Sequence, residues 1–298
     1  NTYIYDDKGI LQKIVNESGP ILTNNYVMKI DLKPGKYTAV VWGAGGENLF
    51  TSYKHYQAGM AGGVPVLQDL VVGQSSFSDF RMLLDCKDMT GQPGSVIPEQ
   101  NDFDDLFFGA VGNRSTDSKN QYTIVPFEAH SGGYTEHEVE MIRNTNVIKL
   151  TVDGLEKLKS DRAALGNKIW IEAVNSMYNA DNTVNHTARR VYYIPQIQQP
   201  EENTLKADIK IQRMEWLQQD QNQTILHIVN PADENTLLSV NLIELLKNVK
   251  DGNRNFIYKN QEDLDRIYEH PIRVSLQPDF TIKIYVHNWL VQQVKPEM

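Results

Sequence analysis

The chain has 298 residues, of which 40% are hydrophobic and 22% charged, so it can bury a core and is not intrinsically disordered. Its formal net charge is −9 and no basic stripe offsets it, which argues against nucleic acid as the main partner. The single cysteine, Cys86, excludes an internal disulfide framework and a cysteine-based zinc site.

Targeting signals are not evident in the sequence. No run approaches the roughly 18 apolar residues of a transmembrane helix, so none is predicted. The chain begins at Asn1 rather than at an initiator Met, and we expect a trimmed mature form.

The N-terminal region predicts two β-hairpins. Residues 2–5 and 10–15 are strand-like and flank the turn Asp6-Asp7-Lys8-Gly9. Residues 26–32 alternate apolar with polar side chains, and residues 36–42 are apolar and β-branched. The intervening Pro34-Gly35 is a turn sequence, because Pro presets φ and Gly accepts positive φ. We predict that this second hairpin packs on a sandwich core.

A domain boundary is predicted near the middle of the chain. Residues 137–143 and 147–152 both alternate, and Asn144-Thr145-Asn146 separates them. One strand would close the first domain and the next would open the second. We therefore predict an N-terminal β-sandwich domain over residues 1–145 and a C-terminal one over residues 146–298.

The second half again predicts mainly strands, the last two over residues 271–276 and 281–286. The best helix candidate is residues 237–249, where leucines recur at helical spacing, and residues 155–165 are a short helix or a loop. At least twelve short strands with few helices predict an all-β protein of two β-sandwiches.

The sequence predicts no catalytic residue, no metal site and no cofactor. Seven histidines are scattered without an HExxH pair, and no GxSxG occurs. The glycines from Gly43 to Gly46 follow a strand, but the phosphate-binding pattern would need a third glycine where Asn48 stands. The acidic group at Asp102, Asp104 and Asp105 has too few ligands at calcium-loop spacing, and we expect a solvated loop.

Four tryptophans are the largest apolar side chains of the chain. We expect them to be core anchors rather than a sugar-binding platform. They are Trp42, Trp170, Trp216 and Trp289. We likewise expect Cys86, in an apolar run, to be a buried and inert thiol.

Four motifs in the correct order resemble a known family. They are IYDDKG at the start, LKPGKYTAVVWGAGG after it, HEVEMIRNTNVIKLTVDGL at the midpoint, and LDRIYEHPIRVSL with FTIKIYVHNWLVQQ at the end. The chain is similar over nearly its whole length to the fimbrial anchor and associated proteins of Bacteroides-type bacteria, the Mfa2/FimB-like group. The motif R-N-T-N between two strands is the most specific of them, and residues 49–99 contribute little.

The resemblance implies two tandem transthyretin-like β-sandwich domains and a non-enzymatic role at the cell surface. It implies an outer-membrane lipoprotein held by a lipid on a cysteine upstream of Asn1. The implied partners are fimbrial pilin subunits, with the chain as anchor or minor subunit of the fimbria.

A β-sandwich can bind a pilin by accepting its strand at a sheet edge. Because termini often supply edge strands, we predict pairing at the first strand, through Tyr3 and Tyr5. We predict the same for the last strand, through Ile282, Ile284 and Val286.

Two alternatives stay open at this point. One is a surface glycan-binding module, which needs exposed aromatics, with Tyr53, Tyr56 and Tyr134 as possible members. The other is a tip adhesin of the same fimbrial system. Burial of the tryptophans would weigh against glycan binding.

Overall fold

The computed structural model describes nine stretches of the chain, namely residues 1–18, 26–46, 49–61, 64–112, 123–155, 168–197, 203–230, 234–279 and 281–295. Within them the protein is all-β with few short helices, which confirms that predicted class. No helix of these stretches has the length and apolar character needed to span a bilayer.

Within the described residues, twelve strands begin in the first half of the chain. They are β1 (Thr2–Asp6), β2 (Leu11–Val15), β3 (Gly35–Ala44), β4 (Tyr53–Ala61), β5 (Val64–Gln68), β6 (Phe80–Leu84), β7 (Cys86–Asp88), β8 (Ser95–Pro98), β9 (Leu106–Ala110), β10 (Phe127–Ala129), β11 (Ile142–Arg143) and β12 (Thr145–Asp153). A 3-10 turn, Leu49–Thr51, precedes β4.

In the described part of the second half, ten strands and two helices follow. They are β13 (Ile169–Ala173), β14 (Met177–Asn179), β15 (Arg190–Tyr193), β16 (Gln196–Ile197), β17 (Thr204–Gln212), β18 (Ile225–Val229), β19 (Thr236–Asn241), α1 (Leu242–Lys247), α2 (Gln261–Arg266), β20 (Glu269–Leu276), β21 (Ile282–Val286) and β22 (Trp289–Val294).

The chain divides into two compact units, each assembled from three segments. Unit 1 comprises Asn1–Asp85, Asp104–Asn144 and Met177–Asn185. Unit 2 comprises the remaining segments, Cys86–Phe103, Thr145–Ser176 and His186–Met298.

Unit 1 contains two sheets. Sheet I has the order β11-β9-β3-β1-β2, and β10 also pairs with β3. Sheet II has the order β14-β6-β4-β5. Trp42 of β3 lies against Phe80 of β6 and Tyr178 of β14, with ring centroids 6.2 and 5.7 Å apart. All three rings are fully buried, so aromatic packing between the two sheets forms the core of this unit.

Unit 2 also contains two sheets. Sheet III has the order β19-β18-β13-β15-β8-β7, and sheet IV has the order β16-β17-β12-β20-β21-β22. The buried Asn175 joins them: it accepts a hydrogen bond from the Tyr193 hydroxyl of sheet III at 2.7 Å and donates to the Gln212 carbonyl of sheet IV at 3.1 Å. Buried aliphatic side chains on both sheets complete the core.

The first strand of the predicted central hairpin does not form. Residues 26–33 carry no assigned strand, whereas β3 extends over the predicted second strand. Ile30 and Leu32 still pack, half-buried, against a cluster that includes Ile4 and Tyr37. β3 instead pairs with β1, β9 and β10, so the alternation of residues 26–32 reflects one-sided burial without a ladder.

The predicted helix over residues 237–249 is wrong in its first part. β19 forms there and pairs with β18, and only α1 is helical. The change occurs at Asn241, whose side chain accepts hydrogen bonds from the backbone N–H groups of Ile243 and Glu244. An Asn cap fixes the helix start, so the upstream leucines are free to follow the period of a strand. The stretch predicted as a short helix or a loop, residues 155–165, lies outside the described residues except for Leu155.

Candidate strand-pairing edges

The first predicted edge strand is an interior strand. β1 pairs with β2 on one side and with β3 on the other, so Tyr3 lies opposite both Ile14 and Val40. Tyr5 is likewise flanked on both sides, and both tyrosines are fully buried. Because both sides of the β1 backbone are paired within the chain, the prediction of an edge position for Tyr3 and Tyr5 is corrected.

The second predicted edge strand is interior for a related reason. β21 carries Ile282, Ile284 and Val286, all at most 1% exposed, and it pairs with β20 and with β22. A further strand, β22, follows after a two-residue turn and takes the outer position. The edge prediction for these three residues is therefore corrected as well.

The turn that creates β22 is the feature that sequence analysis missed. His287 and Asn288 both have positive φ, 48° and 66°, which is the backbone of the tight turns that join hairpin strands. Such turns favour Asn and Gly, so Asn288 was the available signal, although His is an uncommon choice. The uncharged run WLVQQV after it then continues as a strand.

The strands that do lie outermost differ in length and in protection. Five of them, β7, β10, β11, β14 and β16, have only two or three residues. β2 contains Lys13, and β5 contains Pro65, which lacks a backbone N–H. β19 and β22 each have six residues without a charge or a proline. Since charges, prolines and short length normally protect sheet edges, these two are the least protected.

β22 differs from β19 in what it exposes. The apolar side chains Leu238 and Val240 of β19 are buried. In β22, by contrast, Trp289 is 47% and Leu290 54% exposed. Successive strand residues point to opposite faces, so β22 presents an apolar side chain on each face of the sheet edge.

A buried hydrogen-bond network holds the turn that leads into β22. The Tyr258 hydroxyl lies 2.8 Å from His287 Nε2 and 2.9 Å from His270 Nδ1. His270 Nε2 lies 3.1 Å from Asn146 Oδ1, which can only accept, so that nitrogen carries the proton. His270 Nδ1 then accepts from Tyr258, and Tyr258 accepts from His287, so every donor has one defined acceptor.

Burial sets the protonation of this network. Desolvation, and then the charge of His287, lowers the pKa of His270 to about 3. Burial also lowers the pKa of His287 and raises the pKa of Tyr258. All three groups are therefore neutral at pH 7, which suits a structural role beneath the β21–β22 turn.

The tryptophans are not all core residues. Trp42 is fully buried as expected, but Trp289 is exposed, and Trp170 and Trp216 are half-buried. The expectation is therefore wrong for Trp289. Among the tyrosines considered for glycan binding, Tyr53 is fully buried and donates to the Asp104 carbonyl at 2.8 Å, so it cannot join an exposed platform.

One polar and aromatic cluster lies on the outer face of sheet III. Trp170 stacks on His227 with centroids 5.1 Å apart. The Glu172 carboxylate accepts from Arg190 at 2.6 Å and faces His227 Nε2 at 3.7 Å. The neighbouring His227 and then Arg190 lower the pKa of Glu172. Arg190 thus compensates the charge of Glu172 within the sheet.

Metal ligands and the Cys86 thiol are the remaining candidate functional groups. In the described stretches, no three His, Cys, Asp or Glu side chains gather into a candidate metal site. Cys86, at the start of β7, is half-buried rather than buried.

The sequence matches a known protein family over nearly its whole length. The sequence model of the fimbrillin-A associated anchor proteins Mfa1 and Mfa2 matches residues 1–295. No curated protein shows significant sequence similarity to the chain.

Solved structures share the fold over nearly the whole chain. A candidate polysaccharide-binding protein of Bacteroides thetaiotaomicron has a TM-score of 0.71 at 19% identity, with 98% of this chain and 88% of that chain covered. A candidate adhesin of the same organism has a TM-score of 0.68 at 21% identity, with the same coverage. The fimbrial anchor protein Mfa2 of Porphyromonas gingivalis has a TM-score of 0.58 at 17% identity, covering 99% and 90%.

Proposed function

The chain belongs to the family of fimbrillin-A associated anchor proteins Mfa1 and Mfa2, and from this we propose that it is a non-enzymatic fimbrial protein of the cell surface. It acts as the anchor or as a minor subunit, and it binds a pilin by β-strand complementation. The observation that carries the proposal is the family match together with an unprotected sheet edge among the described residues.

Strand complementation suits a protein built in this way. An added strand satisfies the outward backbone N–H and C=O groups of an edge, which supplies affinity, and side chains on either face supply specificity. The binding would require no catalytic group, cofactor or metal. It would also require no charge on the edge, in keeping with the composition of β19 and β22.

The finer architecture and the attachment are part of the same proposal. We assign two tandem transthyretin-like β-sandwich domains, residues 1–145 and 146–298, each completed by one segment from beyond that boundary. We further propose attachment to the outer membrane through an N-terminal lipid on a precursor cysteine. This attachment is carried over from the family resemblance alone.

The test is a pull-down of the full-length precursor product from the envelope of its native host, followed by mass spectrometry. A co-purifying pilin and a lipid on the bait support the anchor role. Pilin with an unlipidated bait supports a shaft or tip subunit instead, which includes the tip adhesin. Glycan or glycan-handling proteins without pilin would overturn the proposal in favour of a glycan-binding module.

A further inference from the structure

We infer that β22 is the edge that receives the pilin strand, with Trp289 and Leu290 as its apolar contacts. This inference rests on the proposed function and names its site. The occupant would be one strand of a second β-protein, lying antiparallel or parallel to β22 along its outer side.

The backbone of β22 is available for such a strand. β21 occupies one side of β22 through five paired positions from Val286↔Trp289 to Ile282↔Val294. On the other side, none of the described strands is paired with it. Alternate residues of β22 can thus direct their N–H and C=O groups outward, in a ladder that the β-bulge at Val291 interrupts.

The side chains of β22 favour the same occupant. Trp289 and Leu290 are adjacent and exposed at the turn end, and exposed aromatic residues are frequent binding hot spots. The strand then continues with Gln292 and Gln293, both exposed and uncharged. A matching partner strand is therefore uncharged, with apolar side chains where it meets Trp289 and Leu290.

The turn end of β22 is also held in place before any partner arrives. The hydrogen bond from His287 to Tyr258 at 2.8 Å fixes the turn, and Trp289 lies beside Gly252, where an added Cβ would be 3.7 Å from its ring. A preordered edge loses less conformational entropy on binding than a mobile one.

The other open edges fit this occupant less well. β19 is equally long and uncharged, but Leu238 and Val240 are buried and Leu237 is half-buried, so it has no exposed apolar side chain like Trp289 or Leu290. β2 carries Lys13, whose ammonium donates to the Asp31 carbonyl at 3.0 Å, and β5 carries Pro65. These differences make β19 the matched control for β22.

The experiment measures binding of the full chain to pilin subunits purified from sheared fimbriae of the native host. Leu290→Lys and Gln293→Lys each place a charge on the β22 edge at an exposed position. Thr236→Lys places the same charge at an exposed position of the β19 edge. Circular dichroism and thermal unfolding check that each variant is folded, and Gln293→Lys serves alone if Leu290→Lys does not fold.

We expect each β22 variant to weaken pilin binding at least about tenfold, while Thr236→Lys leaves it unchanged. If the wild type binds pilin and both β22 variants bind it with the same affinity, the edge assignment is overturned. The proposed function would still stand. No binding by the wild type would overturn both.

The oligomeric state distinguishes a pilin from a second copy of this chain as the partner of β22. Light scattering after size-exclusion chromatography reports the oligomeric state of each variant. A wild-type dimer that Leu290→Lys dissociates, with pilin affinity unchanged, would mean that β22 pairs two copies, and the pilin assignment would be overturned.

Discussion

Buried polar residues of unit 2 are expected to make the stability of the protein sensitive to pH and to mutation. His270 is fully buried and reaches across from β20 to Asn146 of β12 and to Tyr258. Its neutral form uses both ring nitrogens, one as a donor and one as an acceptor. A second proton would put a charge in the core and remove the acceptor that Tyr258 uses.

The first prediction concerns acid stability. The pKa of His270 lies below its unfolded value of about 6.5, so the unfolded chain binds a proton first. The stability contributed by neutral His270 is complete above pH 6.5. It falls by about 1.4 kcal/mol per pH unit as the pH decreases towards the folded pKa of about 3.

The measurement is urea unfolding of the wild type and of His270→Gln between pH 7.5 and pH 4.5. Glutamine retains a donor and an acceptor but has no proton to bind in this range. We expect a shallower pH dependence in the variant, although it is less stable at pH 7.5. Equal slopes for the two proteins would contradict the role of His270.

The second prediction concerns a buried ion pair. Arg213 donates through Nε and Nη2 to the two carboxylate oxygens of Asp265, at 2.8 Å each, and both side chains are at most 5% exposed. Asp265→Ala leaves a buried guanidinium without its carboxylate. We expect a loss of about 3–5 kcal/mol in the free energy of unfolding.

The same helix supplies the control. Glu262, also in α2, forms an exposed ion pair with Arg266. Glu262→Ala should change the free energy of unfolding by about 0.5 kcal/mol or less, because water screens exposed pairs. Comparable losses for the two variants in urea would show that the helix, rather than the buried pair, determines the result.

At the scale of elements, the β21–β22 hairpin depends on its two-residue turn. Asn288 is exposed and has φ of 66°, so its side chain makes no packing contribution that would obscure a backbone effect. Turn residues with positive φ suit Asn and Gly, and β-branched residues suit them least.

The third prediction follows from that turn. Asn288→Val should destabilise the protein by about 1–2 kcal/mol, because a β-branched residue is strained at positive φ. Asn288→Gly should be neutral or slightly stabilising. Thermal unfolding of both variants is the measurement, and a valine variant as stable as the glycine variant would rule out the turn as described.

At the scale of the whole molecule, both units are discontinuous in sequence. β14 pairs with β6 in unit 1, although residues 145–176 of unit 2 precede it in the chain. β8 lies within residues 86–103, which unit 1 segments flank in the chain, yet it pairs in parallel with β15 of unit 2. Each unit therefore needs chain from both sides of residue 145.

The fourth prediction tests that interdependence. A fragment of residues 1–145 lacks β14, the partner of β6, and β15, the partner of β8. A fragment of residues 146–298 contains β14 without β6 and β15 without β8. We expect each fragment alone to lose cooperative unfolding, and the mixture to regain part of it. Two fragments that each unfold cooperatively, with the dispersed amide spectra of folded domains, would contradict this expectation.

The sequence by itself determined the all-β class, because period-two alternation and frequent turns are local properties of the chain. Four ordered motifs also pointed to the fimbrial anchor family, which the match over residues 1–295 confirms. The alternation in β21 was visible as well, since it depends only on which side chains are apolar.

Only the tertiary structure decided which strands lie at sheet edges. Edge position depends on partners distant in the chain, as when β3 and β2 enclose β1, and on one turn, His287-Asn288, that adds β22 outside β21. Leu238 became a strand residue rather than a helical one because β18 offered a ladder. Such choices are made by pairing and burial between remote segments, which local patterns do not encode.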